Sequence, residues 1–132
     1  MALAPGLTGE ASATVDNTNT AASLGSGLVP VFGTPALIAL LELAAVHAVM
    51  AHLSPDSTSV GTHVDVRHLA ATPTGMGVRA NATLTAVDGR QLHFVVEAFD
   101  EVEKVGEGTH IRMIVERERF VQKAVEKANR AT

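Results

Sequence analysis

Residues 34–53 read TPALIALLELAAVHAVMAHL and form the longest apolar run in the chain. Thr34 is a favourable N-cap residue, and Pro35 would then occupy the first helical position, where its missing N–H costs nothing. Because the run is apolar on nearly all sides and rich in alanine and leucine, we expect a core helix covered on most of its faces. The charge of Glu42 and the two histidines of the run argue against a membrane span.

The composition limits the kind of protein this can be. A chain of 132 residues fits one domain, residues 1–132, and can bury a core without cross-links. It has no cysteine, which excludes disulfides and thiolate metal sites. A net charge of −4, no basic run and only four aromatic residues, all Phe, argue against nucleic acid as a partner. The N-terminus lacks a signal-peptide pattern, so we expect a cytoplasmic location.

The hydrophobic period changes along the chain. Residues 10–15 alternate weakly and predict a strand, whereas residues 16–27 are turn formers and predict a loop with room for one helical turn. From residue 58 onward the period is two, which predicts four antiparallel strands in a meander, with a tight hairpin at Asp88-Gly89. Gly106 and Gly108 mark a bulge or a close backbone approach in the last strand. The inward residues of the first three of these strands would be Val60, Thr62, Val64, Val66 and His68, then Val78, Ala80, Ala82, Leu84 and Ala86, then Leu92, Phe94, Val96 and Ala98.

The predicted element order leads to one architecture. After the strands, residues 116–129 predict an amphipathic helix with Phe120, Val121, Ala124 and Val125 facing inward. A helix that is apolar all round is satisfied only if a sheet wraps it. We therefore predict an α+β hotdog fold, in which a curved antiparallel sheet of about five strands surrounds a long central helix. The exposed edge of such a sheet commonly pairs with a second copy, so we expect a homodimer and leave open whether dimers form tetramers.

Three polar residues occupy positions where apolar ones would serve equally well: Thr34, Glu42 and His68. Each has a structural alternative, namely an N-cap, a carboxylate in a solvated gap and a satisfied core histidine. Together, a hydroxyl, a carboxylate and an imidazole are the parts of acyl-transfer chemistry. Thr34 and Glu42 are separated by about 12 Å along a continuous helix and by about 80° around it. A site that uses both is therefore more easily built across a dimer.

The sequence also carries a family resemblance. The segments VFGTPALIALLELAAVHAV, SVGTHVDVRHLAATPTGMGV, VDGRQL and VGEGTHIRMIVERERF resemble the fluoroacetyl-coenzyme A thioesterase family of hotdog proteins, without gaps from about residue 31 to residue 120. The most specific pieces are Thr34 with Glu42, residues 61–68 followed by residues 70–73, and Gly108-Thr109-His110 followed by Arg112.

The resemblance implies hydrolysis of a short acyl-coenzyme A thioester, with Thr34, Glu42 and His68 as the catalytic set. By analogy Glu42 would attack the thioester or activate water, Thr34 would polarise it, and His68 would hold or protonate the reacting groups. Gly61 and Arg112 would contact the acyl group. The helix N-terminus near Thr34 would offer N–H groups to the developing oxyanion.

Two departures from the family pattern affect the expected substrate. The family closes its pocket with an aromatic lid, whereas residues 16–27 contain no Phe, and Phe32 is the only nearby aromatic residue that could bind substrate. This predicts a more open or differently shaped acyl pocket and leaves fluoroacetyl selectivity in doubt. Pro35 also removes one N–H that could face the substrate.

Other functions remain open from the sequence. The first alternative is a non-catalytic acyl-binding or small-ligand-binding hotdog protein. A hydratase is disfavoured, because Glu42 and His47 are five positions apart and do not share a helix face. The other histidines lack a metal-ligand spacing such as HExxH, and no glycine-rich loop opens a helix, so we expect no metal and no cofactor other than coenzyme A within the substrate. Its phosphates should meet basic residues, and the candidates are Arg67, Arg79, Arg90 and Arg117.

Overall fold

The computed structural model describes residues 3–131, and its elements follow the predicted order. Strand β1 spans Thr8–Thr14, the short helix α1 spans Ala21–Leu24, and the long helix α2 spans Thr34–Val49. A 3-10 helix, Met50–His52, continues that segment. The remaining elements are β2 at Ser57–His68, β3 at Gly77–Asp88, β4 at Gln91–Phe99, β5 at Lys104–Glu116 and helix α3 at Arg117–Arg130.

The five strands form one antiparallel sheet with the order β1-β3-β4-β5-β2. Strands β3, β4 and β5 follow one another as a meander, and β1 and β2 are the two edges. The predicted meander of four strands was wrong for β2, which pairs with β5 and not with β3, its neighbour in sequence. The sheet curves around α2 as a half-barrel, which confirms the predicted hotdog fold. Gly89, with φ of 60°, makes the predicted turn between β3 and β4.

Helix α2 packs into the concave face of the sheet. Its buried residues are Leu37, Leu40, Leu41, Ala44, Ala45, Ala48 and Val49. The backbone comes close at Gly106, where a Cβ atom would lie 3.0 Å from Leu37 Cδ2. The opposite side of α2, which includes Leu43, is exposed in the single chain, as is Met50 directly after the helix, because a half-barrel covers only one side of a helix. By length and composition α2 and the 3-10 helix could cross a membrane, but a buried core helix passes the same test.

The start of α2 differs from the prediction in a way that matters for the site. The N-cap is Gly33, with extended φ and ψ, so Thr34 is the first helical residue and not the cap. No side chain caps this terminus. The prediction of an N-cap role for Thr34 was wrong because its hydroxyl contacts a strand residue 34 positions away instead of the adjacent turn.

Strand β2 also departs from the simple alternation. Its pairing with β5 shifts between Gly61 and His63, and such a bulge reverses which side chains point inward. Ser59 is buried before the bulge, and Val66 packs on the core after it. The predicted set of inward residues in β2 is therefore correct only after the bulge. Because β2 is an edge strand, most of its residues are at least partly exposed, and Val64 is among them.

The predicted core residues of β3 and β4 are confirmed, except for Ala86, which a register shift after Leu84 leaves exposed. Helix α3 behaves differently. Its apolar residues Phe120, Val121 and Val125 are exposed, and it buries no residue, so the prediction that this face points inward is wrong within the chain. The reason is topological, since α3 leaves the end of β5 beyond the sheet and its main contacts are with β5.

Candidate active site

The first group of candidate residues is the Thr34–His68 pair, at the start of α2 and the end of β2. Thr34 Oγ1 and His68 Nδ1 are 2.8 Å apart, a hydrogen bond whose direction depends on the imidazole tautomer. Burial lowers the pKa of His68 below its ordinary value, which favours a neutral ring. Its Nε2 is buried and has no hydrogen-bond partner among the described residues. A neutral imidazole with one free nitrogen can give or take a proton.

The second group is the Glu42 cluster, which consists of Glu42, Ser59, Gly61, His110 and Arg112. Arg112 is only 6% exposed and donates from Nε to Ser59 Oγ (2.8 Å) and from Nη2 to the Ser59 carbonyl (2.9 Å). Its Nη1 donates to Glu42 Oε2 (3.2 Å). These bonds hold a charged guanidinium in the interior and aim it at Glu42, whose side chain is 38% exposed.

His110 completes this cluster and was not singled out from the sequence as a site residue. Its Nδ1 lies 2.8 Å from the carbonyl oxygen of His63, which can only accept, so Nδ1 carries the proton. Its Nε2 then accepts from Arg112 Nη1 at 3.1 Å. Burial lowers the pKa of His110, and the neighbouring Arg112 charge lowers it further. His110 is therefore a neutral acceptor that orients Arg112. The inward alternation of His110 and Arg112 on β5 is the signal that could have revealed it.

Gly61 gives the Glu42 carboxylate its space. A Cβ atom at this position would overlap Glu42 Oε2 and would lie 3.1 Å from His110 Cε1 and 3.4 Å from Arg112 Nη1. Gly61 does not have a positive φ, so space rather than backbone freedom explains the glycine. The predicted residues Glu42, Gly61 and Arg112 are thus brought together.

The two groups are separate within one chain. No hydrogen bond or ion pair joins Glu42 to Thr34 or His68 in residues 3–131. A continuous helix connects Thr34 to Glu42, so the sequence estimate of about 12 Å along its axis applies. The single chain therefore does not assemble the three predicted catalytic residues into one site.

A groove of about 460 Å³ borders the Thr34–His68 pair. The loop after α1 forms one wall with Gly27, Val29 and Val31, and residues 69–71 form the other. Phe32 lines the groove, but its side chain is buried in the core. It therefore offers a bound substrate less surface than the predicted substrate-binding role requires. No aromatic side chain covers the groove from this loop, and Leu28 is 97% exposed.

Among the candidate cations, Arg79 lies over the ring of Phe99 at 5.9 Å, and Arg117 donates to the Pro55 carbonyl at 3.4 Å. Arg90 lines a groove beside α3, and Arg67 lines one on the outer face of the sheet. Within the described residues, no group of three His, Cys, Asp or Glu side chains has a metal-binding arrangement.

Comparisons with known proteins point to one family. The family described as fluoroacetyl-CoA-specific thioesterase, FlK, matches residues 15–118. The fluoroacetyl-CoA thioesterase of Streptantibioticus cattleyicolor is 41% identical over 97 residues, which cover 74% of this chain and 70% of that protein.

Solved structures agree with this match. A structure of the fluoroacetyl-CoA thioesterase FlK superposes with a TM-score of 0.90 at 33% identity and covers 96% of this chain and 98% of its own. A hot-dog-like protein from Thermanaerovibrio acidaminovorans has a TM-score of 0.83 at 22% identity, with 93% and 91% coverage, and supports the fold alone. The chain therefore belongs to the fluoroacetyl-CoA-specific thioesterase family of hotdog proteins.

Proposed function

We propose that this thioester hydrolase cleaves a short acyl-coenzyme A in a cytoplasmic homodimer whose two sites are each shared between subunits. In each site the Thr34–His68 pair of one subunit would face the Glu42 cluster of its partner. Family membership supports the thioester hydrolysis, and the division of the candidate residues into two groups supports the sharing.

The Glu42 cluster suits a carboxylate that attacks or activates water. Arg112 donates to Glu42 Oε2, and its other hydrogen bonds, to Ser59, hold the guanidinium and so fix where the carboxylate points. Glu42 would either attack the thioester carbonyl directly or take a proton from the attacking water. The partly exposed carboxylate can reach a substrate, because Gly61 places no side chain in front of it.

The Thr34–His68 pair suits the other end of the reaction. With His68 Nδ1 donating to Thr34 Oγ1, the Thr34 hydroxyl would be free to donate to the thioester carbonyl and polarise it. The unpartnered Nε2 of the neutral His68 would take up a proton from water and pass it to the leaving thiolate. Both lie at the N-terminus of α2, where the helix dipole favours a developing oxyanion. Pro35 has no N–H to offer there, so Thr34 and its neighbours must supply the donors.

The exposed edge strand β2 offers the surface for pairing. In an antiparallel pair of identical strands, residue i faces residue j of the partner and j faces i. If Gly61 faces the partner's His68, the two-fold axis passes between Val64 and Asp65. That register would place the Glu42 cluster of one subunit next to the Thr34–His68 pair of the other, and it would cover Val64.

The acyl group is proposed to be short, without the fluoroacetyl preference named for the relatives. The groove beside Thr34 and His68 is bounded by a loop of small and aliphatic residues, with no aromatic cover.

The alternative function is a non-catalytic binding protein, in which Glu42 would only make the ligand pocket polar. A panel of acetyl-, fluoroacetyl-, propionyl-, butyryl-, longer acyl- and aryl-coenzyme A, tested with the wild type and Glu42→Ala, separates the two. Turnover lost in the variant supports the enzyme, and a folded wild type inactive on all members favours the binding protein.

A mixed dimer tests the shared site. Glu42→Ala and His68→Ala chains carrying different affinity tags are co-expressed, and the heterodimer is purified. In a shared site, one of the two sites combines both defects and the other has none, so the heterodimer recovers about half of the wild-type activity. If each chain contained its own site, the heterodimer would be as inactive as the two parent variants. An active monomer in solution would also overturn the proposal.

A further inference from the structure

The positive charge of this acidic protein is concentrated on helix α3. Its sequence, RERFVQKAVEKANR, contains five of the ten Lys and Arg residues but only two of the fourteen carboxylates. The helix therefore carries a net charge of +3 in a chain whose net charge is −4. Such segregation is a mark of a surface that attracts an anion.

Three cations meet in a groove between α3 and the end of β5. The groove has a volume of about 460 Å³, and its charged lining residues are Arg90, Arg119, Lys123 and one carboxylate, Glu116. Lys104 and Arg112 form ion pairs elsewhere, but within residues 3–131 none of these three cations has a carboxylate within ion-pair distance. The hydrogen bond from the Ile114 N–H to the Arg90 carbonyl (2.9 Å) fixes the turn that presents Arg90.

The same groove has an aromatic and aliphatic wall. Phe120 is 46% exposed and lines it together with Met113 and Val115. An exposed aromatic ring beside unpaired cations suits a ligand that combines a flat ring with phosphate groups, since bases stack on such rings and phosphates bind Arg and Lys.

The groove lies close to the proposed site. Gly61 pairs with Arg112, and the next residue of β5, Met113, lines the groove on the other face of the sheet. From Arg112 to Glu116, where the sheet ends and α3 begins, the strand covers about 13 Å. An extended pantetheine arm that passes around this end would connect a thioester at Glu42 with a nucleotide on α3.

We infer that this groove binds the nucleotide part of the coenzyme A thioester, with Arg90, Arg119 and Lys123 on its phosphates and Phe120 against the adenine. The inference rests on the proposed function, because the thioester substrate supplies the nucleotide. It identifies Arg90 among the cations left open by the sequence and adds two cations of α3.

The test compares substrates with and without the nucleotide. Lys123→Ala and the double variant Arg119→Ala/Lys123→Ala are assayed on an acyl-coenzyme A and on the same acyl group linked to N-acetylcysteamine. We expect the double variant to raise KM for the coenzyme A thioester about tenfold at unchanged kcat, with kcat/KM for the short thioester kept within about twofold. Lys127→Ala is the matched control, since it removes the same charge one helical turn away and outside the groove.

Calorimetric binding of free coenzyme A and of dephospho-coenzyme A provides a readout that does not require turnover. The variants should weaken binding of coenzyme A, and the loss should be smaller for the probe without the 3′-phosphate. Unchanged binding of coenzyme A by the double variant, an equal change with both thioesters, or an equal effect of Lys127→Ala would overturn the inference. Inactivity of the wild type on every thioester would instead count against the proposed function, and the calorimetry would still decide the nucleotide groove.

Discussion

Substitution of Gly61 by alanine tests the geometry of the Glu42 cluster by adding one methyl group. The new Cβ would overlap Glu42 Oε2 and would be 3.1 Å from His110 Cε1. Because Gly61 does not have a positive φ, alanine fits the backbone without strain. The substitution therefore moves the carboxylate and leaves the strand unchanged.

The size of the effect follows from how far Glu42 must retreat. Ordinary carbon contacts are about 3.5–4.0 Å, so the carboxylate must move by at least about 1 Å. A displacement of that size in a reacting group costs about 10²-fold in kcat, or about 2.7 kcal/mol of transition-state stabilisation. The cost in folding stability should be only about 1 kcal/mol, because the 38% exposed Glu42 side chain can turn toward solvent while Arg112 keeps its bonds to Ser59.

The assay combines steady-state kinetics with thermal unfolding. Gly61→Ala should lose about 10²-fold in kcat while its Tm changes by no more than about 4 °C. Gly77→Ala is the control, because its Cβ would meet only Glu101 Oε2 at an ordinary 3.7 Å. In a Glu42→Ala background, Gly61→Ala should have little further effect, since the displaced group is already absent. Wild-type kcat in Gly61→Ala, or a full second loss in the double variant, would refute the role given to this space.

Three further predictions concern the neighbouring groups. Arg112→Lys keeps the positive charge but not the planar guanidinium that donates to both Ser59 and Glu42. Urea denaturation should therefore show a decrease of about 2–4 kcal/mol in the free energy of unfolding. A decrease below about 0.5 kcal/mol would contradict a stabilising role for this buried network. Thr34→Val should lower kcat about tenfold or more, whereas Thr34→Ser, which keeps the hydroxyl facing His68, should retain most of it, and equal activities would exclude a role for the hydroxyl. Burial lowers the pKa of both His68 and His110, so the unfolded chain binds more protons in the window just below pH 6.5 and stability should fall as the pH drops through it. His110→Gln, which keeps an acceptor but cannot titrate, should flatten the dependence of Tm on pH, and an unchanged slope would argue against a neutral His110.

Much of the fold was predictable because its signals are local. The long apolar run predicts helix α2, and the alternation in β3 and β4 reports which side chains face the core; the structure confirms both, except at Ala86. The hairpin at Asp88-Gly89 follows from the preference of glycine for positive φ. These patterns need no knowledge of distant residues.

The candidate site was predictable in residue type but only partly in arrangement. Glu42, Gly61 and Arg112 come together as the resemblance implies, and Thr34 meets His68. The role of His110 was missed, because its importance arises from a carbonyl of β2 and a guanidinium two residues away on its own strand. The catalytic roles themselves stay predictions until the variants are assayed.

The sequence by itself determined the identity of the elements and the family, since periodicity, turn residues and motif spacing are properties of neighbouring positions. Only the tertiary structure decided that the Thr34 hydroxyl faces His68 and does not cap its helix, and that a bulge after Gly61 turns Ser59 inward. It also decided that the apolar face of α3 remains uncovered within the chain. The physical reason is that each outcome depends on contacts or strand register between distant segments, which local patterns do not encode.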